Sequence, residues 1–222
     1  MRNIRKKSAV GKTLLDIYDR LYAEFGPCCW WPAETPFEVM VGAILTQNTA
    51  WRNVEAAIEN LKRNNLLSPE ALFKASPGKI AGLILPSGYY NLKAKRIKKF
   101  LDYLFENYAG RPEKMLRKRT SRLREELLNV NGIGPETADS ILLYALNRPV
   151  FVVDAYTKRI FSRHGLIDEN DSYEQIQTLF SANLPQRAKL YNEYHALIVC
   201  LGKLLCKKNP DCPHCPLKGT RL

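Results

Sequence analysis

Two features, one helix apart, could do chemistry in this chain. The first is the glycine pair of Asn131-Gly132-Ile133-Gly134, which opens an apolar-periodic segment running from Pro135 to Leu146. Gly132 and Gly134 let the main chain turn tightly and approach a partner closely. The helix that follows starts with unsatisfied N–H groups and a positive dipole end, which together can hold a phosphate. The second is Asp154, which follows the apolar run Val150 to Val153. A carboxylate near a phosphate anchor can act on a nucleotide. Taken singly, the glycine pair reads as a plain helix connection and the aspartate as an N-cap. Their order and spacing favour the chemical reading.

The elements that must position these residues read as helices. Leu14, Leu15, Ile17, Tyr18, Leu21, Tyr22 and Phe25 form an amphipathic stripe that Gly26-Pro27 stops. Thr35-Pro36-Phe37-Glu38 reads as N-cap, N1 proline and capping-box glutamate. Val54, Ala57, Ile58 and Leu61 make another stripe, Ser68-Pro69 starts a further helix, and Ser76-Pro77 reads as its end. A long basic helix covers 91–108, helices at 121–129 and 135–147 flank the glycine turn, and others begin near Asp154, after Ser172 and at Pro185. Pro149 to Val153 reads as an extended connector rather than a strand, since no partner strand is evident.

The chain has 222 residues, with 34 Lys and Arg against 22 Asp and Glu, a formal charge of +12. That excess favours a polyanionic partner. No run approaches the ~20 apolar residues of a membrane span, so no membrane partner is expected. The start, MRNIRKKSAVGK, is basic and lacks an apolar core, so it reads as a basic arm rather than a secretory signal. A cytoplasmic monomer is expected, nucleoid-associated if the source is prokaryotic.

The glycine turn followed by Asp154 resembles the helix-hairpin-helix of the endonuclease III superfamily of DNA glycosylases, and the resemblance extends over residues 13–217. It implies an all-α, two-lobed fold. A central six-helix lobe over 37–148 would end in the hairpin. Residues 1–36 and 149–222 would form the second lobe, with the cleft between lobes. It also implies base excision from double-stranded DNA, with Gly132, Ile133 and Gly134 gripping the backbone and Asp154 essential to catalysis. Members that also cut the strand carry lysine in G-x-G-x-K, whereas this chain reads Gly132-Ile133-Gly134-Pro135-Glu136. Glu136 stands at the lysine position and cannot form an imine, which leaves monofunctional chemistry unless another lysine substitutes. Asp154 would then stabilise an oxocarbenium-like sugar and orient or deprotonate the water. Glu136 also suits the first turn of a helix as a simple acid.

Further matches concern DNA and base. Leu45-Thr46-Gln47-Asn48-Thr49 resembles the family segment whose glutamine enters the DNA stack, and Ser87-Gly88-Tyr89-Tyr90-Asn91-Leu92-Lys93-Ala94 resembles the G-x-Y-N-x-K-A segment whose first bulky residue wedges the duplex. Gln47, Tyr89, Asn91 and Lys93 are therefore candidate DNA contacts, suited to holding open a duplex whose base has been flipped. Trp30, Trp31 and Pro32, with Trp51 downstream, are similar to the base pocket of the endonuclease III-type 3-methyladenine DNA glycosylases. Electron-rich indoles suit an electron-poor, cationic alkylated purine. The alternatives are a mismatch thymine or uracil glycosylase, an endonuclease III-like glycosylase with lyase activity, and a non-catalytic helix-hairpin-helix DNA-binding protein. A mere binder has no need of Asp154.

Cys206, Cys212 and Cys215 form a C-x5-C-x2-C array that resembles the four-iron four-sulfur (4Fe-4S) loop of the superfamily. The fourth cysteine of that pattern falls at Arg221. Cys200, His214 or an exogenous thiolate or water remain as fourth ligands; an incomplete or lost cluster and a zinc site are the other readings.

Overall fold

The computed structural model describes residues 8–28 and 31–220; Trp30 of the expected pocket, Cys29 and the basic stretch 1–7 lie outside the described residues. The fold is all-α, with no strand among the described residues. In chain order the helices are α1 (Ala9–Phe25), α2 (Pro36–Leu45), α3 (Trp51–Arg63), α4 (Pro69–Lys74), α5 (Pro77–Leu83) and α6 (Tyr90–Tyr108). They continue with α7 (Thr120–Leu128), α8 (Pro135–Ser140), α9 (Ala155–Arg163), α10 (Tyr173–Asn183) and α11 (Ala188–Leu204). No described helix is long and apolar enough to cross a membrane. The chain divides into two compact units, Met1–Trp30 with Pro149–Leu222, and Trp31–Arg148.

The starts of several helices are written in local capping chemistry. Thr35 Oγ1 accepts from the Glu38 amide at 3.1 Å, and the Glu38 carboxylate reaches back to the Glu34 amide at 3.1 Å. Ser172 and Gln175 form a reciprocal capping box on α10. Ser76-Pro77, expected to end a helix, starts α5: the Ser76 hydroxyl accepts from Lys79 N, and Pro77 stands at the first helical position, where its missing donor costs nothing.

In the unit 31–148, α2 is the central element, since Phe37 through Leu45 are all buried. It packs on α3, α6, α8 and the turn that continues α8. Burying side chains such as Met40, Ile44 and Leu45 stabilises the unit by roughly 1.5–3 kcal/mol each. In the unit of the chain ends, α11 packs on α1 and α9, and α1 also packs on α10. Gly202 permits the α9–α11 contact: a Cβ there would lie 2.2 Å from Tyr156 Cδ1. The connector before α9 is extended and buried at Phe151, Val152 and Val153. Buried irregular backbone needs partners, and α10 supplies them: Gln177 Nε2 donates to the Phe151 carbonyl at 2.7 Å, and the Tyr173 hydroxyl accepts from Val153 N at 3.4 Å.

Candidate active site and nucleic-acid interface

The glycine turn is a rigid hairpin. Gly132 has φ +91°, and a Cβ there would sit 2.4 Å from Arg96 Cγ, so both backbone conformation and space demand glycine. Arg124 on α7 clamps the fully buried Asp139 on α8 through Nε–Oδ1 at 2.7 Å and Nη2–Oδ2 at 3.0 Å. This bidentate pair fixes the angle between the two hairpin helices. Gly134 is exposed and caps α8, and Glu136 is exposed in its first turn. Ile133 departs from the expected DNA contact. Its side chain is 4 % exposed and plugs the turn into the core, and its amide is spent on the Val130 carbonyl at 3.0 Å.

Gln47 and Lys93 also differ from expectation, for the same reason: α2 ends against the hairpin and α6. Gln47 Nε2 donates to the Gly132 carbonyl at 3.0 Å and to Thr137 Oγ1 at 2.9 Å, and the Arg96 guanidinium donates to Gln47 Oε1. The amide braces the hairpin instead of standing free to enter a base stack. Lys93 is 1 % exposed, with Nζ donating to the carbonyls of Leu45 at 2.8 Å and Ser87 at 2.6 Å. It satisfies the last carbonyl of α2 and does not reach a DNA surface. Burial, aided by the nearby Arg96 charge, pulls its ammonium down to about 8. Tyr89 is 70 % exposed in the left-handed region (φ +45°), and Asn91 two residues on is exposed as well.

Three rings meet in the same unit. Trp31 stacks on Tyr144 (centroids 5.0 Å, 28° between planes) and meets Trp51 edge to face (5.1 Å, 71°). The Trp51 indole N–H donates to Glu55 at 2.7 Å, which fixes the ring. Trp31 has φ +64°, a conformation that costs a bulky residue about 1–3 kcal/mol and persists where its surroundings impose it. Pro32 is exposed beside it. Sequence reasoning missed Tyr144 because it sits in an apolar run that reads as core. The structure breaks that run with a π-helical turn over Ile141–Ala145, in which Leu146 N bonds to the Ile141 carbonyl at 3.2 Å. The extra residue re-aims the side chains, and such turns recur at functional sites.

Asp154 belongs to the other unit and caps α9. Its Oδ1 accepts from Thr157 N at 2.7 Å and from Thr157 Oγ1 at 2.9 Å, and its Oδ2 lies 3.5 Å from Nε2 of His195 on α11. The side chains of His195 and Asp154 are 7 % and 11 % exposed. Burial alone would push the carboxyl up; the His195 charge and the Thr157 bonds outweigh it and hold the carboxyl below the ordinary aspartate range. Sequence reasoning missed His195. Its signal, a histidine within the apolar run Tyr194–Val199, is weak by itself.

Cys206, Cys212 and Cys215 line one cavity of about 320 Å3 together with Arg163, His164 and Lys218. Burial pushes the Cys215 thiol up. Among the described residues no group of three or more His, Cys, Asp or Glu converges tightly enough to hold a single metal ion. The donor set on this cavity is three thiols beside the cationic Arg163 and Lys218, and the fourth cysteine of the superfamily pattern falls at Arg221. Cys200 does not join them. It does not line the cavity, and its Sγ lies 3.3 Å from Cys28 Sγ. Arg221 lies outside the described residues.

Comparison with known proteins agrees with this geometry. The family model described as "HhH-GPD superfamily base excision DNA repair protein" matches residues 41–186. A candidate DNA repair glycosylase of Methanocaldococcus jannaschii, MJ1434, is 53 % identical over 204 residues, covering 91 % of this chain and 92 % of that one. Endonuclease III of Thermotoga maritima is 33 % identical over 185 residues, covering 83 % and 81 %. Among solved structures, the Helicobacter pylori 3-methyladenine DNA glycosylase MagIII bound to 1,N6-ethenoadenine matches with a TM-score of 0.73 and 31 % identity, over 87 % of this chain and 95 % of that one.

Proposed function

The chain belongs to the HhH-GPD superfamily of base excision DNA repair proteins, and on that premise we propose that this DNA glycosylase is monofunctional and removes an alkylated purine such as 3-methyladenine from double-stranded DNA. The observation that carries the substrate reading is the ring cluster of Trp31, Trp51 and Tyr144. Indole and phenol faces attract a cationic, electron-poor purine. The likeness to a 3-methyladenine glycosylase held with an ethenoadenine supports the same class of base. Alkylation already weakens the N-glycosidic bond, so little acid assistance to the leaving base is needed.

In this reading the hairpin at Gly132 and Gly134 holds the DNA backbone, Tyr89 fills the gap left by the flipped base, and Asp154 offsets the positive charge that develops on the sugar as water replaces the base. Glu136, at the position where a strand-cutting relative has lysine, leaves no amine there to attack the sugar. The protein is expected to release free base from methylated duplex and to leave the strand intact until heat or alkali is applied. Borohydride is expected to trap no protein–DNA adduct. Efficient trapping would overturn the monofunctional assignment. Preferential release of thymine or uracil from mismatches would overturn the alkylpurine one.

The proposal extends to the C-terminal loop. Cys206, Cys212 and Cys215 would hold a 4Fe-4S cluster, which supplies a covalent cross-link that fixes the loop carrying Lys207 and Lys208. Protein prepared without oxygen is expected to be brown, and Cys212→Ser to lower iron content and DNA affinity together. Colourless, iron-free protein with full activity would overturn the assignment.

A further inference from the structure

Asp154 and His195 pose an energetic problem together. A carboxylate buried in an apolar setting tends to protonate rather than remain an uncompensated charge. The two hydrogen bonds from Thr157 both fall on Oδ1, leaving Oδ2 to His195 at 3.5 Å. His195 is itself 6 % exposed, in the middle of the buried run Tyr194–Val199 of α11, where an apolar side chain would pack at less cost.

Several other ionisable groups on the elements packed around the pair have partners elsewhere. On α9, Lys158 donates to the Asp171 carbonyl and Arg159 to the carbonyls of Gly202 and Cys206. On α11, Glu193 accepts from the Cys28 amide. On α1, Asp16 pairs with Arg20, and Asp19 faces Tyr18 and Tyr194. From α10, the Tyr173 hydroxyl meets Val153 N. Among the described residues, the His195 ring is the group recorded at Oδ2, at 3.5 Å.

We propose that His195 is the positioning residue of the reaction: with Thr157 on one oxygen and the His195 ring on the other, Asp154 is held anionic and in one rotamer within the helix cap. The inference rests on the catalytic reading of Asp154. It also divides the two roles open to that residue. A carboxylate held ionised by its neighbours is a weak proton acceptor and a strong fixed counter-charge, so Asp154 acts by stabilising the sugar cation and orienting water. The carboxyl's depressed value agrees with this arrangement.

The test is single-turnover base release from methylated duplex across pH, for the full protein and for His195→Asn and His195→Leu, with folding followed by circular dichroism and binding measured on abasic-site duplex. Without the His195 ring at Oδ2, Asp154 takes up a proton more readily. The acidic limb of the rate profile is therefore expected to move to higher pH by about 1–3 units in both variants, with abasic-site binding retained. An acidic limb that stays in place in a folded variant overturns the proposal, even if thermal stability falls, because a merely structural histidine would lower stability without moving that limb. His195→Asn keeps a polar side chain of similar reach and decides the matter if His195→Leu does not fold. An Asp154→Asn protein with undiminished release would overturn the catalytic reading of Asp154 itself, a separate result.

Discussion

Asp154→Asn is expected to cut base release by about 10³-fold or more, with binding to damaged duplex unchanged or tighter. The substitution is close to isosteric. Its side-chain oxygen can still accept from Thr157 N and Oγ1, so α9 keeps its cap, and asparagine caps helices as well as aspartate does. What is lost is the charge opposite His195, and with it the counter-charge to the sugar cation. Binding should not suffer, because a negative group near DNA phosphates opposes association. The measurement pairs single-turnover kinetics with a binding titration. Near-normal turnover by the variant would sink the catalytic assignment and return Asp154 to the role of a helix cap.

The second large effect is expected at the ring cluster. Trp31→Ala and Trp51→Ala should each slow excision of 3-methyladenine about 10- to 100-fold, the worth of roughly 1–3 kcal/mol for one lost base stack. Abasic-site duplex, which has no base to stack, should bind nearly as before. Trp31 supports the stronger expectation of the two. Its left-handed backbone and its stack on Tyr144 mean that the fold holds that ring in place at a cost. Trp51 is tethered by Glu55 and closes the edge. Equal losses on abasic duplex, or no loss in either assay, would make both rings core packing.

Where chemistry is local, the sequence alone was legible. The glycine turn, Asp154 behind its apolar run, the Thr35-Pro36 and Ser68-Pro69 starts and the helix start after Ser172 each depend on contacts within a few residues. One local signal misled: Ser-Pro at 76–77 has the same letters whether it ends one helix or begins the next, and the Ser76 cap on Lys79 shows which it is.

What only the tertiary structure decided is where long side chains spend their polar ends. Lys93 sits in a basic helix and reads as a DNA contact, yet the carbonyls of Leu45 and Ser87 take its ammonium and it is buried. Gln47 reads as a side chain that enters the DNA stack, yet its amide bonds to the hairpin and to Arg96. Tyr144 reads as core until a single π-helical turn re-aims it toward Trp31. Asp154 and His195 stand far apart in the chain, and no periodicity connects them. They meet because Gly202 lets α9 lie close on α11. The amino-acid sequence thus determined the helices, the hairpin and the aspartate by short-range capping, turn and periodicity rules. The partners of the buried polar groups were set by which helix ends meet, a long-range outcome of packing that no local pattern encodes.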